Sequence, residues 1–438
     1  MTGGMESQDR AEGRGLPRRN FIQGTGLLGI ALAAGVAPAF SQGVAASRRV
    51  RVAVIGLGRG MDHVTALLQV PGAVVAAVCD VDERRRDAAA RKVEEKSGVR
   101  PPRVTDLRRL LEDREIDAVS IATPNFWHAP AAILACRAGK HVYVEKPGSH
   151  NAREGERMAE VAGSTRRIVQ LGTQRRSTET VREAISALKD GIIGPVRVAR
   201  CRYDNARTTI GRGKATPVPE WLNYDLWQGP VPERRYVDNL VHYNWHWRWH
   251  WGGGELANNG PHALDIARWG LGVQYPMRVT ANGGRYHFQD DQETPDTLTA
   301  HFEFGTAGII WDGSSCHPRK VDGPAFVTFY GDGGTLAIDG NGGYRVVDAG
   351  GKELKKVAGR MSDVPHFANF VETIRGEAKL NAPIGEGVKS VHLCHLGNIA
   401  WRTGGAVEVD PVNGHLKSGT RKQRGLWSRE YRRGWNFV

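Results

Sequence analysis

The stretch VRVAVIGLGRGMDHVTALL (50–68) constrains the fold more than any other part of the chain. A run of valines and small residues breaks at a glycine turn and resumes with helical spacing. A strand that passes so tightly into a helix belongs to a parallel sheet, whose strands are joined by crossovers. The pattern then repeats. GAVVAAVCDVD, DAVSIATP, HVYVEKP and RRIVQLGTQ read as strands, while LRRLLED, APAAILACRAGK and AREGERMAEVAGS read as helices.

The texture changes near residue 174. A helix (TETVREAISALKDG) and a strand (GPVRVARCRYDN) lead into a Gly- and Pro-rich loop. MRVTANGGRYHF, DTLTAHFEF, GIIWDGSS, AFVTFYG and GTLAIDG then follow, separated by glycine turns. Short strands joined by tight turns predict an antiparallel sheet. The expected fold class is α/β, with an α/β domain followed by an α+β domain. The expected divisions are an export signal and linker (1–47), a nucleotide-binding domain (48–173), a substrate domain (174–405) and a basic, aromatic tail (406–438).

The glycine turn carries chemistry. Gly56 allows the turn, and Gly58 lets the backbone approach a pyrophosphate at the helix N-terminus. The third glycine of a dinucleotide fingerprint is offset: Gly60 precedes Met61, which holds the expected position. Asp80, ending the second strand, stands where an acid meets a ribose and favours NAD by repelling a 2′-phosphate. Arg59 or Arg84 could hold such a phosphate, which leaves NADP open. Ligands of open α/β sheets lie beyond the strand C-termini, so Thr123, Pro124, Asn125 and His128 should line the cleft. Glu145, Lys146 and Pro147 reach the same edge from the next strand. A lysine facing a nicotinamide cation loses its proton more easily and can assist proton removal.

The glycine loop, VCDVD, ATPNFWHAPAAILACRAGKHVYVEKP and GGGELANNGPHALDIARW, in that order, resemble the Gfo/Idh/MocA oxidoreductases over roughly residues 50–405. The resemblance implies a Rossmann domain, a C-terminal domain with a large open antiparallel sheet, and NAD(P)-dependent chemistry on sugars or polyols. It matches Lys146 to a lysine touching substrate and nicotinamide, and His262 to the acid/base partner. Many relatives carry aspartate four residues before that histidine; here the residue is Asn258, which holds a hydroxyl but takes no proton. A spacing of four would put Asn258 and His262 on one helical face. Asp265, three residues beyond His262, either orients that ring or caps structure; Gln174, Arg175 and Arg176 either meet ligand hydroxyls or form a structural ion pair. A homo-oligomer, dimer or tetramer, is implied by the resemblance alone.

Before the catalytic segment stands YNWHWRWHW (243–251). Read as a strand, it puts four indoles on one face and His246, Arg248 and His250 on the other. The expectation is mostly core, with His246 and Arg248 bordering a sugar. Arg18-Arg19, an apolar Gly/Ala run and Ala37-Pro38-Ala39 resemble a twin-arginine export signal, which implies a periplasmic or otherwise exported protein carried by that machinery. That route carries folded proteins, so it predicts a cofactor loaded beforehand. The net charge of +13 comes partly from 417–433. Without a nucleic-acid motif, that segment reads as a solvated tail or a subunit contact. Five scattered cysteines lack metal or disulfide spacing and read as buried apolar residues; no metal site is expected. Two rivals to a sugar or polyol oxidoreductase stay open: a glycosidase that oxidises its sugar transiently and eliminates the aglycone, and a non-catalytic sugar-binding protein.

Overall fold

The computed structural model describes residues 49–435 apart from 321, 322 and 324. The expected export signal lies outside the described residues.

The first sheet contains β1 (Val50–Ile55), β2 (Ala73–Cys79), β3 (Arg103–Val104), β4 (Ala118–Ile121), β5 (His141–Glu145) and β6 (Val169–Gly172). They pair in the order β3-β2-β1-β4-β5-β6, and every pairing is parallel. The order reverses between β1 and β4, and a crevice opens beyond their C-termini. The strands read as near-continuous apolar runs because helices cover both faces. The helix Asn125–Arg137 is buried along almost its whole length, which its composition (NFWHAPAAILACR) requires.

The second sheet holds β7 (Val196–Asp204), β8 (Arg278–Gly284), β9 (Thr297–Glu303), β10 (Gly308–Ser314), β11 (Ala325–Gly331), β12 (Gly334–Asp339), β13 (Tyr344–Asp348), β14 (Glu353–Val357), β15 (Val407–Val409) and β16 (Leu416–Ser418). It is mixed but mostly antiparallel; among the described residues only β7 and β10 pair in parallel. Along β9, Leu298, Ala300 and Phe302 turn inward while Thr299 and His301 turn outward, the two-residue period of a sheet with one covered face. The covering layer includes the helices Gly260–Leu271 and Ile384–Thr403.

Three findings depart from expectation. The tail is not merely solvated: β15 and β16 extend the second sheet, and Arg429 reaches back to the Phe126 carbonyl (2.8 Å) and to Glu154 (2.9 Å). The late helix Val364–Ile374 drives Phe367, Phe370 and Val371 into the core of the first sheet, across the expected domain boundary. The tryptophan ladder is not a strand. Residues 244–247 form a 3₁₀ turn, closed by Trp245 N–H to Leu240 O (3.1 Å) and His246 N–H to Tyr243 O (3.3 Å). Trp245, Trp247 and Trp251 are buried nonetheless. Packing among Phe126, Trp227 and Trp251 satisfies the indoles without a ladder. Cys79, Cys136, Cys201 and Cys394 are buried and free.

Gly56 has φ +82°, and a Cβ there would meet Thr123 N at 2.6 Å and Ala122 O at 2.7 Å. Neither backbone atom yields easily. Gly56→Ala is expected to destabilise the protein by at least ~1–2 kcal/mol from backbone strain alone, read by urea unfolding, and to weaken NAD binding, read by titration.

Candidate active site

The site grows from the ends of β1, β4 and β5. Beyond β1, Asp80 fixes the glycine loop from the end of β2. Its Oδ2 accepts the Leu57 N–H (2.6 Å) and its Oδ1 the Asp82 N–H (2.9 Å). Burial pushes this carboxyl's pKa up, and the two N–H donors and Arg85 only partly offset it. Gly60 takes the close-packing role of the offset glycine, since a Cβ there would meet Val54 Cγ1 at 3.1 Å. Gly58 lies under Arg85, whose Nη1 would stand 2.6 Å from an added Cβ. Arg85 and Arg59 both line the cleft, whereas Arg84 is not among its lining residues. Arg84 stacks on Trp221 and pairs with Asp82, whereas Arg59 pairs with Asp62, Asp363 and Glu145.

A cleft of about 520 Å³ runs from this loop to the second domain. Gly56, Gly58, Arg59 and Asp80 line one end, Thr123, Pro124, Asn125 and His128 the middle, and Glu145, Lys146, Gln174, His246, Asn258 and His262 the other. Glu145 is the hub. Its Oε1 accepts from Gln174 Nε2 (2.7 Å), faces His63 Nε2 (3.2 Å) and pairs with Arg59 Nε (3.4 Å). Burial alone would raise its pKa. The His63 contact and the Arg59 and Lys146 charges outweigh burial and hold the carboxyl well below the usual range.

Lys146 Nζ donates to Asn258 O (2.8 Å) and Asn258 Oδ1 (3.2 Å). Burial lowers the lysine pKa, opposed by Glu145 and assisted by Arg59. Asn258 ends the short helix Gly254–Asn258, and His262 lies in the next, Gly260–Leu271; Asn259 breaks the single helical face expected. Both residues still reach the cleft. Burial, then Lys146 and Arg175, hold the His262 pKa well below the usual value, so the ring stays uncharged. Thr123 Oγ1, His128 Nδ1 and His262 Nδ1 are buried polar atoms with no partner among the described residues, and all three residues line this one cleft. Such atoms fit a polar ligand.

Three expected residues are placed elsewhere. Asp265 does not orient His262. Its carboxylate grips Arg176 through two bonds (2.6 and 2.9 Å) and accepts from Ser390 (2.7 Å). Arg248 bonds Asn239 and Asp291 (both 2.9 Å), because the 3₁₀ turn rotates it away from the cleft lining. Arg175 lies over the Phe326 ring at 4.4 Å, outside the lining residues.

Sequence reasoning missed the roof. The loop after β7 folds back over the nucleotide-binding domain, bringing Leu226, Trp227, His242, Tyr243 and Trp245 to the cleft. It is clasped there by His242 Nε2 to Asp82 Oδ2 (2.9 Å), by Glu83 N–H to Trp221 O (3.3 Å) and by Asn223 N–H to Val81 O (3.0 Å). No residue spacing announces these long-range contacts.

Residues 50–173 match the family model described as "Oxidoreductase family, NAD-binding Rossmann fold", and residues 203–437 match its C-terminal alpha/beta domain. A myo-inositol 2-dehydrogenase of Thermotoga maritima is 34% identical over 265 residues, 59% of this chain and 67% of that one. A glycosyl hydrolase family 109 protein of Saccharopolyspora erythraea is 32% identical over 208 residues, 44% of this chain. That match spans only 45% of the relative's own length. Among solved structures, the WlbA dehydrogenase of Bordetella pertussis, in complex with NADH and UDP-GlcNAcA, is 19% identical with a TM-score of 0.62, covering 83% of this chain and 99% of that one. The aldose-aldose oxidoreductase of Caulobacter crescentus is 19% identical with a TM-score of 0.64, covering 82% of this chain and all of that one (100%). At such identities these two likenesses concern the fold. The fit of the cleft and the NAD-binding family model agree on NAD as cofactor.

Two outcomes follow for stability. Asp265→Ala strands the Arg176 charge in the interior and is expected to cost about 3 kcal/mol, measured by chemical denaturation. Burial lowers the pKa of His128 and His366 to about 4 and of His246 and His395 to about 3. The unfolded chain therefore takes up these protons first as pH falls below ~6.5. The stability from these four groups is complete above that pH and is lost as pH drops toward 4. Calorimetry should show a falling Tm between pH 7 and pH 4.5.

Proposed function

The chain belongs to the Gfo/Idh/MocA oxidoreductase family, and on that premise we propose that it moves a hydride between NAD and the carbinol carbon of a sugar or polyol. One observation carries the reading: Lys146, Asn258 and His262 meet at the second-domain end of a cleft that also holds unpartnered polar atoms. The glycine loop, Asp80 and the Thr123–His128 wall hold the dinucleotide. The bound nicotinamide supplies the hydride acceptor.

Lys146 receives the hydroxyl proton. Two of its nitrogen positions are committed to Asn258, and the remaining one is free for a substrate oxygen. Its lowered pKa favours the amine that can accept a proton. His262, uncharged, accepts a hydrogen bond from a neighbouring hydroxyl. Asn258 acts on the lysine rather than on the substrate, since its amide is taken up by Lys146 and Glu255. Trp245 and His246, stacked 3.5 Å apart by ring centroids, offer a flat wall for sugar C–H faces. The roof clasped to Asp82 supports a cofactor that is retained from one turnover to the next. The residues around Arg18-Arg19 support export with that cofactor already in place. A second reading, glycoside cleavage through transient oxidation, draws support from the family 109 relative and uses the same residues.

Purified protein should release stoichiometric NAD(H) on denaturation, read by mass spectrometry; a protein that is empty and binds no added NAD defeats the reading. Lys146→Ala should keep the cofactor yet lose turnover of any sugar or polyol substrate by about 10²-fold or more. Glycoside cleavage without net NADH would move the assignment to the second reading.

A further inference from the structure

Glu255 lies beside the cleft without lining it. It is 6% exposed, and its carboxylate is surrounded by donors. Arg207 approaches through Nε (2.8 Å to Oε2) and Nη2 (3.4 Å to Oε1), and Ser315 donates from 3.1 Å. Asn258 Nδ2 donates to Oε1 at 3.4 Å, and Asn259 Nδ2 donates to the same oxygen. Arg207 is itself held by the Tyr243 hydroxyl (2.9 Å) and lies over the Trp247 ring.

We propose that Glu255, anchored by Arg207, is the positioning residue that sets the direction of the Asn258 amide and thereby holds the Lys146 amine at the reacting hydroxyl. This rests on the reading of Lys146 as proton acceptor.

Donor and acceptor parity sets the direction of the amide. An asparagine side chain has an accepting end and a donating end, and an ionised carboxylate only accepts. Glu255 therefore draws the NH₂ end toward itself, which leaves Oδ1 facing Lys146 Nζ at 3.2 Å. Without the carboxylate, the flipped amide would present N–H to a lysine that also needs to donate. An aspartate at 258 would supply two accepting oxygens and need no such partner. Glu255 supplies the orientation that the asparagine lacks.

Charge adds a second consequence. The groups facing Lys146 are Glu145 beside it, Arg59 from the glycine loop, His128 from the cleft wall, His246 from the roof, His262 and Cys394 from their helices, and the Glu255–Arg207 pair. Glu255 stabilises the ammonium and Arg207 opposes it. Removing one or the other must therefore move the lysine in opposite directions, which loss of structure alone would not do.

The test is acetylation of Lys146 by acetic anhydride across a pH series on the full chain, quantified by peptide mass spectrometry. Glu255→Gln should lower the Lys146 midpoint and Arg207→Gln should raise it, each by ~0.5 unit or more. Arg207→Lys, which keeps the charge, should stay near the parent value. Unmoved midpoints, or shifts of one sign in both variants, overturn the proposal. If Glu255→Gln does not fold, the contrast between Arg207→Gln and Arg207→Lys decides it. The readout needs no turnover. Failure of the oxidoreductase reading would show separately, as a protein that binds no NAD.

Discussion

A charge buried at the end of β5 governs the site. Glu145 is 3% exposed, and an ionised carboxylate in that position survives only if its partners replace water. Those partners come from different parts of the chain: His63 from the helix after β1, Arg59 from the glycine loop, and Gln174 from the turn that enters the second domain. Arg59 then ties in Asp363, at the start of a late helix whose phenylalanines complete the first core. One carboxylate thus sets the relation between glycine loop, Lys146 and domain junction. It also keeps negative charge beside Lys146, which moderates the loss of basicity that burial imposes.

The second domain does more than supply His262. Its loop after β7 crosses the cleft, and aromatic rings fill the space between roof and wall: Trp227 packs against Phe126 and Trp251, and Trp127 donates its indole N–H to the Trp227 carbonyl (2.9 Å). Large rings suit this task because they exclude water over a wide area at a small cost in rotamer freedom. The same dryness raises the consequence of every polar contact inside. That is why an amide flip at Asn258 matters to a lysine beside it.

Much of this was legible before any coordinates. The glycine turn, the strand-end acid and the Glu-Lys-Pro segment announce a nucleotide cleft because each depends on local geometry: a turn, a strand terminus, a helix start. Residues whose roles depend on distant partners were not legible. Asp265 looks like a partner for His262 by spacing, yet it grips Arg176 from the turn that opens the second domain. The alternating tryptophans look like a strand, but the chain closes them into a turn once Trp227 and Phe126 are present to receive them. Glu255 did carry a signal. It stands three residues before Asn258, a helical neighbour position, but its accepting role emerges only when Arg207 arrives from a loop.

Arg429 grips the Phe126 carbonyl across 303 residues of sequence, and Trp435 packs on Trp127 at the same wall. Synthesis runs from the N-terminus, so the nucleotide-binding domain emerges from the ribosome long before the residues that brace its cleft. Trp127 can meet Trp227 midway along the chain, but Trp435 and Arg429 reach the same wall only after the last strands of the second sheet have been made. Contacts of such long sequence separation form slowly. A nucleotide that occupied the waiting cleft would favour the native arrangement by mass action.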